Sequence, residues 1–225
     1  MTDTALVTGF EPYGGRSLNP SARLATALDG AQIGGLRIAG RTLPVSIQGL
    51  GERIDAWLDD LRPAVVIALG LWPGEPMIRL ERYAVNLADF EIADNSGIRL
   101  SDAAVAAGDA TALASTLPLR AVERALLAEG IPARLSNTAG TYLCNATLYG
   151  LLRAIRERGL DIPCGFFHLP YLPEQVAEML SEARAGRLEI NQRADLASMD
   201  YGVMERALRI AIGAIAAELR NPPRR

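Results

Sequence analysis

A continuous apolar stretch at residues 64–70, Ala-Val-Val-Ile-Ala-Leu-Gly, most constrains the fold of this 225-residue chain. The stretch begins directly after Pro63 and ends in a glycine, so turn residues bound it on both sides. A strand that is apolar on both faces has to be covered on both faces, which is typical of parallel sheets that lie between helices. The stretch therefore predicts the central strand of an α/β fold.

Strand-like and helix-like segments alternate along the rest of the chain, which predicts a mostly parallel sheet built from βα units. We expect a single α/β domain over residues 1–220, with an open, mostly parallel, twisted sheet sandwiched between helices, and a flexible tail at 221–225. No linker rich in serine, glycine or proline divides the chain. The predicted strands are 5–9, 36–43, 64–70, 83–88, 133–136 and 165–170, and the predicted helices are 20–28, 47–61, 119–129, 144–158, 173–185 and 199–219.

Charge and composition exclude several classes of function. The formal net charge of −3 argues against a nucleic-acid partner or an anionic membrane surface. All 23 lysine or arginine residues are arginines, and the absence of lysine excludes Schiff-base chemistry on a lysine side chain. No apolar run approaches the roughly 20 residues that span a bilayer, and the first residues lack the pattern of a signal peptide. We expect a cytoplasmic protein with two free cysteines and no membrane contact.

His168 is the only histidine of the chain, so any imidazole chemistry near neutral pH depends on it. It follows a predicted strand, at the edge where open α/β sheets place their sites. One histidine and two separated cysteines provide no familiar zinc spacing, so we expect no metal. The glycine-rich loop after the first strand lacks the spacing of a dinucleotide or phosphate loop, so we expect no organic cofactor.

Cys144 is the candidate nucleophile because a polar, glycine-containing loop precedes it and a helical pattern follows. Near a helix N-terminus the free N–H groups favour a thiolate and can stabilise an oxyanion. The alternatives are that Cys144 is an inert buried thiol and that His168 is a hydrogen-bonded core residue. Cys164, beside Pro163 at the start of a strand, is interpreted as structural. A cysteine–histidine pair usually needs a third group, and spacing alone does not choose among the carboxylates.

Several long motifs, in one order and spanning almost the whole chain, resemble the pyroglutamyl-peptidase I (pyrrolidone-carboxylate peptidase) family of cysteine peptidases. The motifs are Val-Thr-Gly-Phe-Glu-Pro-Tyr-Gly-Gly at 7–15 with Asn19-Pro20, Glu-Arg-Tyr-Ala-Val-Asn at 81–86, Asp94-Asn95, Ser-Asn-Thr-Ala-Gly-Thr-Tyr-Leu-Cys-Asn at 136–145, and His-Leu-Pro-Tyr-Leu-Pro-Glu-Gln at 168–175. Several motifs in one order are more specific than any single pattern. The chain is therefore identified as a divergent member of this family.

The resemblance implies a reaction and three catalytic residues. It assigns Cys144 as nucleophile, His168 as general acid–base and Glu81 as the carboxylate that orients the imidazole. The implied activity removes a 5-oxoproline (pyroglutamyl) residue from a peptide N-terminus through a thioester intermediate. The implied partner is a small peptide with this blocked N-terminus, no metal or cofactor is needed, and the assembly is a homotetramer.

The resemblance also implies the substrate pocket. Phe10, Tyr13 and Tyr142 match the pocket aromatics of the family, and Asn19 matches a position near the lactam. The lactam carries no ammonium group, so its pocket needs apolar walls and a few amide partners. Leu71 stands where the family commonly has a glutamine, which is the first departure from its pattern.

The second departure concerns the oxyanion. Glu91 stands where the family has an arginine thought to stabilise it, and losing one such donor typically costs about 10²–10³ in rate. Arg79 and Arg16 are the candidate replacements. Two alternative functions stay open: a thiol amidase of the same fold that acts on a different small acyl or lactam group, and a non-catalytic ligand-binding member.

Overall fold

The computed structural model describes residues 3–187 and 196–221, so all but one residue of the predicted tail lies outside the described part. Nine strands and six helices occur in these two ranges. The strands are β1 (Thr4–Phe10), β2 (Gln32–Ile33), β3 (Leu36–Leu43), β4 (Val65–Leu71), β5 (Ile78–Glu81), β6 (Tyr83–Val85), β7 (Ala112–Ala114), β8 (Ala133–Ser136) and β9 (Cys164–Leu169). The helices are α1 (Pro20–Leu28), α2 (Leu50–Leu61), α3 (Leu119–Ala128), α4 (Leu143–Glu157), α5 (Pro173–Arg184) and α6 (Tyr201–Arg220).

Seven strands form one sheet in the order β2-β3-β1-β4-β9-β5-β8, and β6 pairs with β7 apart from it. The pairings β1–β3, β1–β4, β4–β9 and β5–β8 are parallel. Two pairings are antiparallel: β2 with β3, and β5 with β9. The predicted α/β fold with a mostly parallel sheet is confirmed.

The central strand β4 is buried along its whole length, as its unbroken apolar sequence predicts. Val65, Ile67 and Leu69 belong to a core that also contains apolar residues of α1, α3 and α6. Val66 and Ala68 face the opposite way, into a core shared with α2 and α4. Alternate residues of one strand thus serve two cores, which places the sheet between two layers of helices. Among the described helices, none is both long enough and apolar enough to cross a bilayer.

The sequence-based prediction missed β5, since it predicts no strand at 78–81. All four residues of this strand are buried, including the charged Arg79 and Glu81. Charged residues are rarely buried unless they are paired, so a sequence pattern that contains two of them does not suggest a core strand. This missed strand carries part of the site described below.

Two helix starts differ from the prediction by a few residues. Helix α2 begins at Leu50 and not at 47, because Gly49 adopts a left-handed conformation (φ 71°) that interrupts the helix. Helix α6 begins at Tyr201 and not at 199, because the Asp200 carboxylate accepts hydrogen bonds from the N–H groups of Gly202 and Val203. Both differences are at termini, where local capping decides the boundary.

Candidate active site

The predicted nucleophile and the predicted base come together at one edge of the main sheet. Cys144 is the second residue of α4, and His168 lies near the end of β9 opposite Gly70 of β4. A Cβ atom built on Gly70 would come within 2.8 Å of the Cys144 Sγ. The sulfur therefore occupies the space that a side chain at position 70 would fill. His168 lies opposite Gly70 on the adjacent strand, and adjacent strands lie only about 4.8 Å apart, so the thiol and the imidazole are neighbours. Any larger residue at position 70 would have to displace the sulfur.

The third predicted member, Glu81, holds the imidazole from the opposite side. Nδ1 of His168 lies 2.8 Å from the Oε1 atom of Glu81, and both side chains are fully buried. An ionised carboxylate only accepts hydrogen bonds, so the neutral ring donates from Nδ1 and keeps Nε2 free as a proton acceptor. The contact thus selects the tautomer that a general base needs.

Two aromatic rings and the surrounding core fix the environment of His168. The Phe166 ring lies 4.7 Å from the imidazole, and the Trp72 ring meets it in an edge-to-face contact at 4.9 Å. Desolvation in these surroundings lowers the pKa of His168, although Glu81 opposes the shift. The imidazole is therefore neutral near neutral pH and able to accept a proton.

Burial opposes the expected preference of Cys144 for the thiolate in the free protein. Burial and the negative charge of Glu81 raise the pKa of the Cys144 thiol to about 12, and the N–H group of Cys144 lowers it only in part. The helix N-terminus acts in the predicted direction, but burial outweighs it. The site at rest therefore consists of a thiol beside a neutral imidazole, and the nucleophile forms when the proton moves to His168.

The raised pKa makes the reactivity of Cys144 strongly dependent on pH. Below the pKa the thiolate fraction grows tenfold per pH unit, so alkylation by iodoacetamide is expected to accelerate about tenfold per unit between about pH 7 and about pH 9. The measurement uses the Cys164→Ala variant, in which Cys144 is the only thiol. A rate that is already at its plateau near neutral pH would show a preformed thiolate.

A cavity of about 430 Å³ opens in front of the thiol and the imidazole. Such a volume suits a small ligand, and cavities of this kind usually have apolar walls with a few polar groups. All five residues that the sequence predicts for substrate binding line it together with Cys144 and His168: Phe10, Tyr13, Asn19, Leu71 and Tyr142. Across residues 3–187 and 196–221, no three side chains of His, Cys, Asp or Glu lie close enough together to hold a metal ion.

The polar pocket residues have partners within the fold. Asn19 caps α1 through its Oδ1 atom, which accepts from the backbone N–H and the hydroxyl of Ser21. Its Nδ2 atom donates to the carbonyl of Glu11 at 3.0 Å. The hydroxyl of Tyr142 donates to the carbonyl of Ala93 at 3.2 Å. Asn19 and Tyr142 therefore shape the cavity wall as well as facing its interior.

The three residues considered for the oxyanion lie in different places. Glu91 lines the cavity and is exposed. Arg16 also lines it, but its Nη1 atom donates to Glu182 at 2.6 Å. Arg79 does not line the cavity and bonds Glu81 instead. The prediction of Arg79 as an oxyanion donor is therefore wrong, because its guanidinium is fully engaged behind the site.

Sequence reasoning missed Gly70 and Trp72 as parts of the site. Gly70 matters through the side chain it lacks, and Trp72 lines the cavity and contacts His168. The available signal was their position, since both stand where the central strand ends and open α/β sheets bind ligands. The second cysteine, Cys164, is fully buried in β9 with a raised pKa, as expected of a structural thiol.

Comparison with known proteins agrees with this geometry. Residues 3–218 match the family model described as pyroglutamyl peptidase. The pyrrolidone-carboxylate peptidase of Pyrococcus furiosus is 38% identical over 214 residues, which cover 95% of this chain and 98% of the relative. The pyrrolidone-carboxylate peptidase 1 of Ralstonia nicotianae is 45% identical over 174 residues, or 77% of this chain and 81% of the relative.

Solved structures give the same result at the level of the fold. The pyrrolidone carboxyl peptidase of Thermococcus litoralis superposes with a TM-score of 0.89 at 35% identity and covers 97% of this chain and 95% of its own. A structure of the Pyrococcus furiosus enzyme superposes with a TM-score of 0.87 at 38% identity and covers 96% of this chain and 99% of its own. Because the family model matches residues 3–218 and these relatives align over most of their length, the chain belongs to the pyroglutamyl peptidase family.

Proposed function

We propose that Cys144, His168 and Glu81 perform the reaction of this family, the hydrolytic removal of an N-terminal pyroglutamyl residue from a peptide. One observation carries the proposal: the Cys144 sulfur lies over Gly70, beside an imidazole whose Nδ1 atom is bonded to Glu81. A nucleophile, a base and an orienting carboxylate are the parts of an activated-thiol hydrolase.

The proposed reaction has two stages that share one proton carrier. In the first, the Cys144 proton passes to Nε2 of His168 while the sulfur attacks the pyroglutamyl carbonyl carbon. The C–N bond then breaks, His168 returns the proton to the leaving amine, and a thioester remains on Cys144. In the second stage, His168 takes a proton from water, the resulting hydroxide attacks the thioester, and pyroglutamate leaves as the thiol is restored.

The oxyanion donors in this proposal are the backbone N–H groups of the first turn of α4. The residue before this helix, Tyr142, makes no side-chain capping bond to it. The first N–H groups of a helix have no intrahelical acceptor, so those of Leu143 and Cys144 are free to donate to a developing negative charge. This removes the need for an arginine, and the exposed Glu91 is screened by water.

The cavity walls suit the neutral lactam of the substrate. Phe10 and Leu71 are nearly fully buried apolar lining residues, and the rings of Tyr13 and Tyr142 lie 6.2 Å apart. Burial raises the pKa of Tyr13 well above its ordinary value, so this tyrosine stays neutral. These walls offer no partner to a charged ring, which favours a ring that carries none.

A matched pair of substrates tests this function. The wild-type protein is expected to hydrolyse a fluorogenic pyroglutamyl amide and to leave the corresponding prolyl amide intact, because the prolyl ring carries an ammonium group that the apolar walls around Phe10 and Leu71 do not solvate. The release of the fluorophore is measured for both amides. Equal turnover of both amides, or turnover of neither, would contradict the proposal.

The same assay resolves the two alternatives. Turnover of another small acyl or lactam amide, with none of the pyroglutamyl amide, would identify a thiol amidase with a different substrate. No turnover of any amide, with Cys144 alkylated no faster than the buried Cys164, would identify a non-catalytic binding protein. A Cys144 that is alkylated faster than Cys164 favours a catalytic role in either case.

We also propose that the chain works as a homotetramer in the cytoplasm, as the family resemblance implies. Both cysteines are free thiols, which is consistent with a reducing compartment. Sedimentation equilibrium measures the assembly directly. A monomer at micromolar concentration would contradict the tetramer.

A further inference from the structure

Arg79 shares the carboxylate oxygen that orients the histidine. Its Nε atom donates to Oε1 of Glu81 at 3.0 Å, and the same oxygen lies 2.8 Å from Nδ1 of His168. In the antiparallel pairing of β5 with β9, Arg79 is the residue opposite His168. Two donors on neighbouring strands thus fix the orientation of one buried carboxylate.

Arg79 also holds the segment that leads to the nucleophile. Its Nη2 atom donates to the hydroxyl of Ser136 at 2.6 Å and to the carbonyl of Thr138 at 2.8 Å. Ser136 ends β8, and Thr138 lies in the loop that runs directly into α4 and Cys144. One guanidinium group therefore ties this loop to the strand that carries Glu81.

A third contact links Arg79 to the cavity wall. Its guanidinium carbon lies 3.6 Å from the centre of the Trp72 ring, which lines the cavity and contacts His168 at its edge. Stacking of a guanidinium on tryptophan is favourable and keeps both groups in place. The arginine is thus in contact with a neighbour of each reacting group without facing the cavity.

The charges around Arg79 are balanced within the core. Its side chain is only 7% exposed, and Nη1 lies 3.6 Å from the buried carboxylate of Glu75. Glu75 is in turn bonded at 2.9 Å by Arg134, whose side chain is 51% exposed. A buried cation is costly unless it is paired and hydrogen-bonded. Arg79 meets both conditions through groups that surround the proposed catalytic residues.

We propose that Arg79 is a positioning residue that keeps Glu81 aligned with His168 and fixes the loop before Cys144. The inference rests on the proposed function, since it assigns Arg79 a role in that reaction. Arg79 does not touch the substrate and acts through Glu81, Ser136 and Thr138.

The pKa of His168 gives a direct readout of the charges around it. Within residues 3–187 and 196–221 these charged or titratable groups include Glu81 and Arg79 on β5, Glu75 in the loop before β5, and Cys144 on α4. Burial lowers the pKa of His168 most, Glu81 and Glu75 raise it, and Arg79 lowers it. Removing the positive charge of Arg79 is therefore expected to raise this pKa.

The kinetic test compares Arg79→Gln with Arg134→Gln, which removes the exposed end of the same charge network. Misplacing a reacting group by about 1 Å costs on the order of 100-fold, so kcat of Arg79→Gln is expected to fall about 100-fold. KM is expected to stay within about twofold, because an effect confined to the transition state lowers kcat and leaves binding unchanged. Arg134→Gln is expected to match the wild type. Equal losses in both variants, or none in Arg79→Gln, would overturn the proposal.

The second measurement follows the only histidine of the chain by NMR after isotope labelling and needs no substrate. The His168 pKa is expected to rise by about one pH unit in Arg79→Gln, as removal of a nearby like charge predicts. Arg79→Lys keeps the charge without the planar fork. Its His168 pKa is expected to match the wild type while its kcat stays about tenfold low, since a near-normal geometry is only partly restored.

These outcomes distinguish the positioning role from a general loss of packing around the site, called loosening below. They also distinguish it from failure of the proposed function. Loosening would raise the His168 pKa in Arg79→Lys as well, and that result would overturn the proposal. If Arg79→Gln does not fold, Arg79→Lys decides, and a wild-type kcat in it would be contrary evidence. A wild-type protein that hydrolyses no pyroglutamyl amide would reject the proposed function and the positioning role with it, whereas an active wild type with an unchanged kcat in Arg79→Gln would reject the positioning role alone.

Discussion

Cys144→Ala is expected to abolish hydrolysis of pyroglutamyl amides, with a fall in kcat on the order of 10⁶-fold, the size seen when the nucleophile of a hydrolase triad is removed. Alanine has no atom that can form the thioester, and His168 then has no proton to accept from a nucleophile. The cavity walls stay unchanged, so the substrate is still expected to bind. The measurements are kcat by fluorophore release and binding of the uncleaved amide by calorimetry.

Cys164→Ala is the matched control for this loss. Cys164 is fully buried in β9, and its sulfur belongs to the core on the α2 and α4 side of the sheet. Removing one buried sulfur leaves a small cavity and is expected to cost about 1 kcal/mol of unfolding free energy while kcat stays at the wild-type value. If the two alanine variants lost activity equally, the assignment of Cys144 as nucleophile would be wrong.

Glu81→Gln is expected to lower kcat by up to about 10⁴-fold, because a neutral amide does not stabilise the imidazolium that forms when His168 takes the Cys144 proton. The Nε–H group of Arg79 keeps an oxygen at the Oε1 position, so the amide oxygen still accepts from Nδ1 and the loss comes from the missing charge. Removing the charge of Glu81 also removes its effect of raising the pKa of His168. The acid limb of the pH profile is therefore expected to move to lower pH, opposite to the shift expected for Arg79→Gln.

Glu75→Gln is the control for this second variant. It makes the same chemical change in the same charge network, but Glu75 bonds Arg134 and contacts Arg79 without touching the imidazole. Its kcat is expected to stay within about tenfold of the wild type, since only the support of Arg79 is weakened. Circular dichroism at matched protein concentration checks that both variants are folded. A loss as large as that of Glu81→Gln would show that charge anywhere in the network, and not the carboxylate in contact with the imidazole, controls the rate.

The fold could be predicted from the sequence where the local pattern and the burial agree. The stretch 64–70 is apolar throughout and became the central strand with two covered faces. Strand β5 could not be predicted because Arg79 and Glu81 look like surface residues until their partners are known. Those partners are Ser136, Thr138 and His168, which are distant along the chain and adjacent only after folding.

Local sequence patterns predicted some residues of the candidate site but not others. The positions of Cys144 at a helix start and His168 at a strand end follow from local sequence patterns. Glu81 emerged only through the family resemblance, because spacing does not choose among many carboxylates. The raised pKa of Cys144 was not predictable, since burial and the charge of Glu81 depend on the tertiary structure. The local sequence predicts that the helix N-terminus lowers the pKa of Cys144, but it does not predict that burial and Glu81 raise it.

The reversed direction of β5 determines how stiff each half of the site is. In a purely parallel sheet, a polar residue reaches the active edge from a loop after its strand. Here β5 runs against β9, so Glu81 is held within the hydrogen-bonded ladder beside His168. Groups on strands keep their geometry more closely than groups on loops. The carboxylate and the imidazole are thus held by one strand pair, and any adjustment to substrates of different size falls to cavity walls outside that pair.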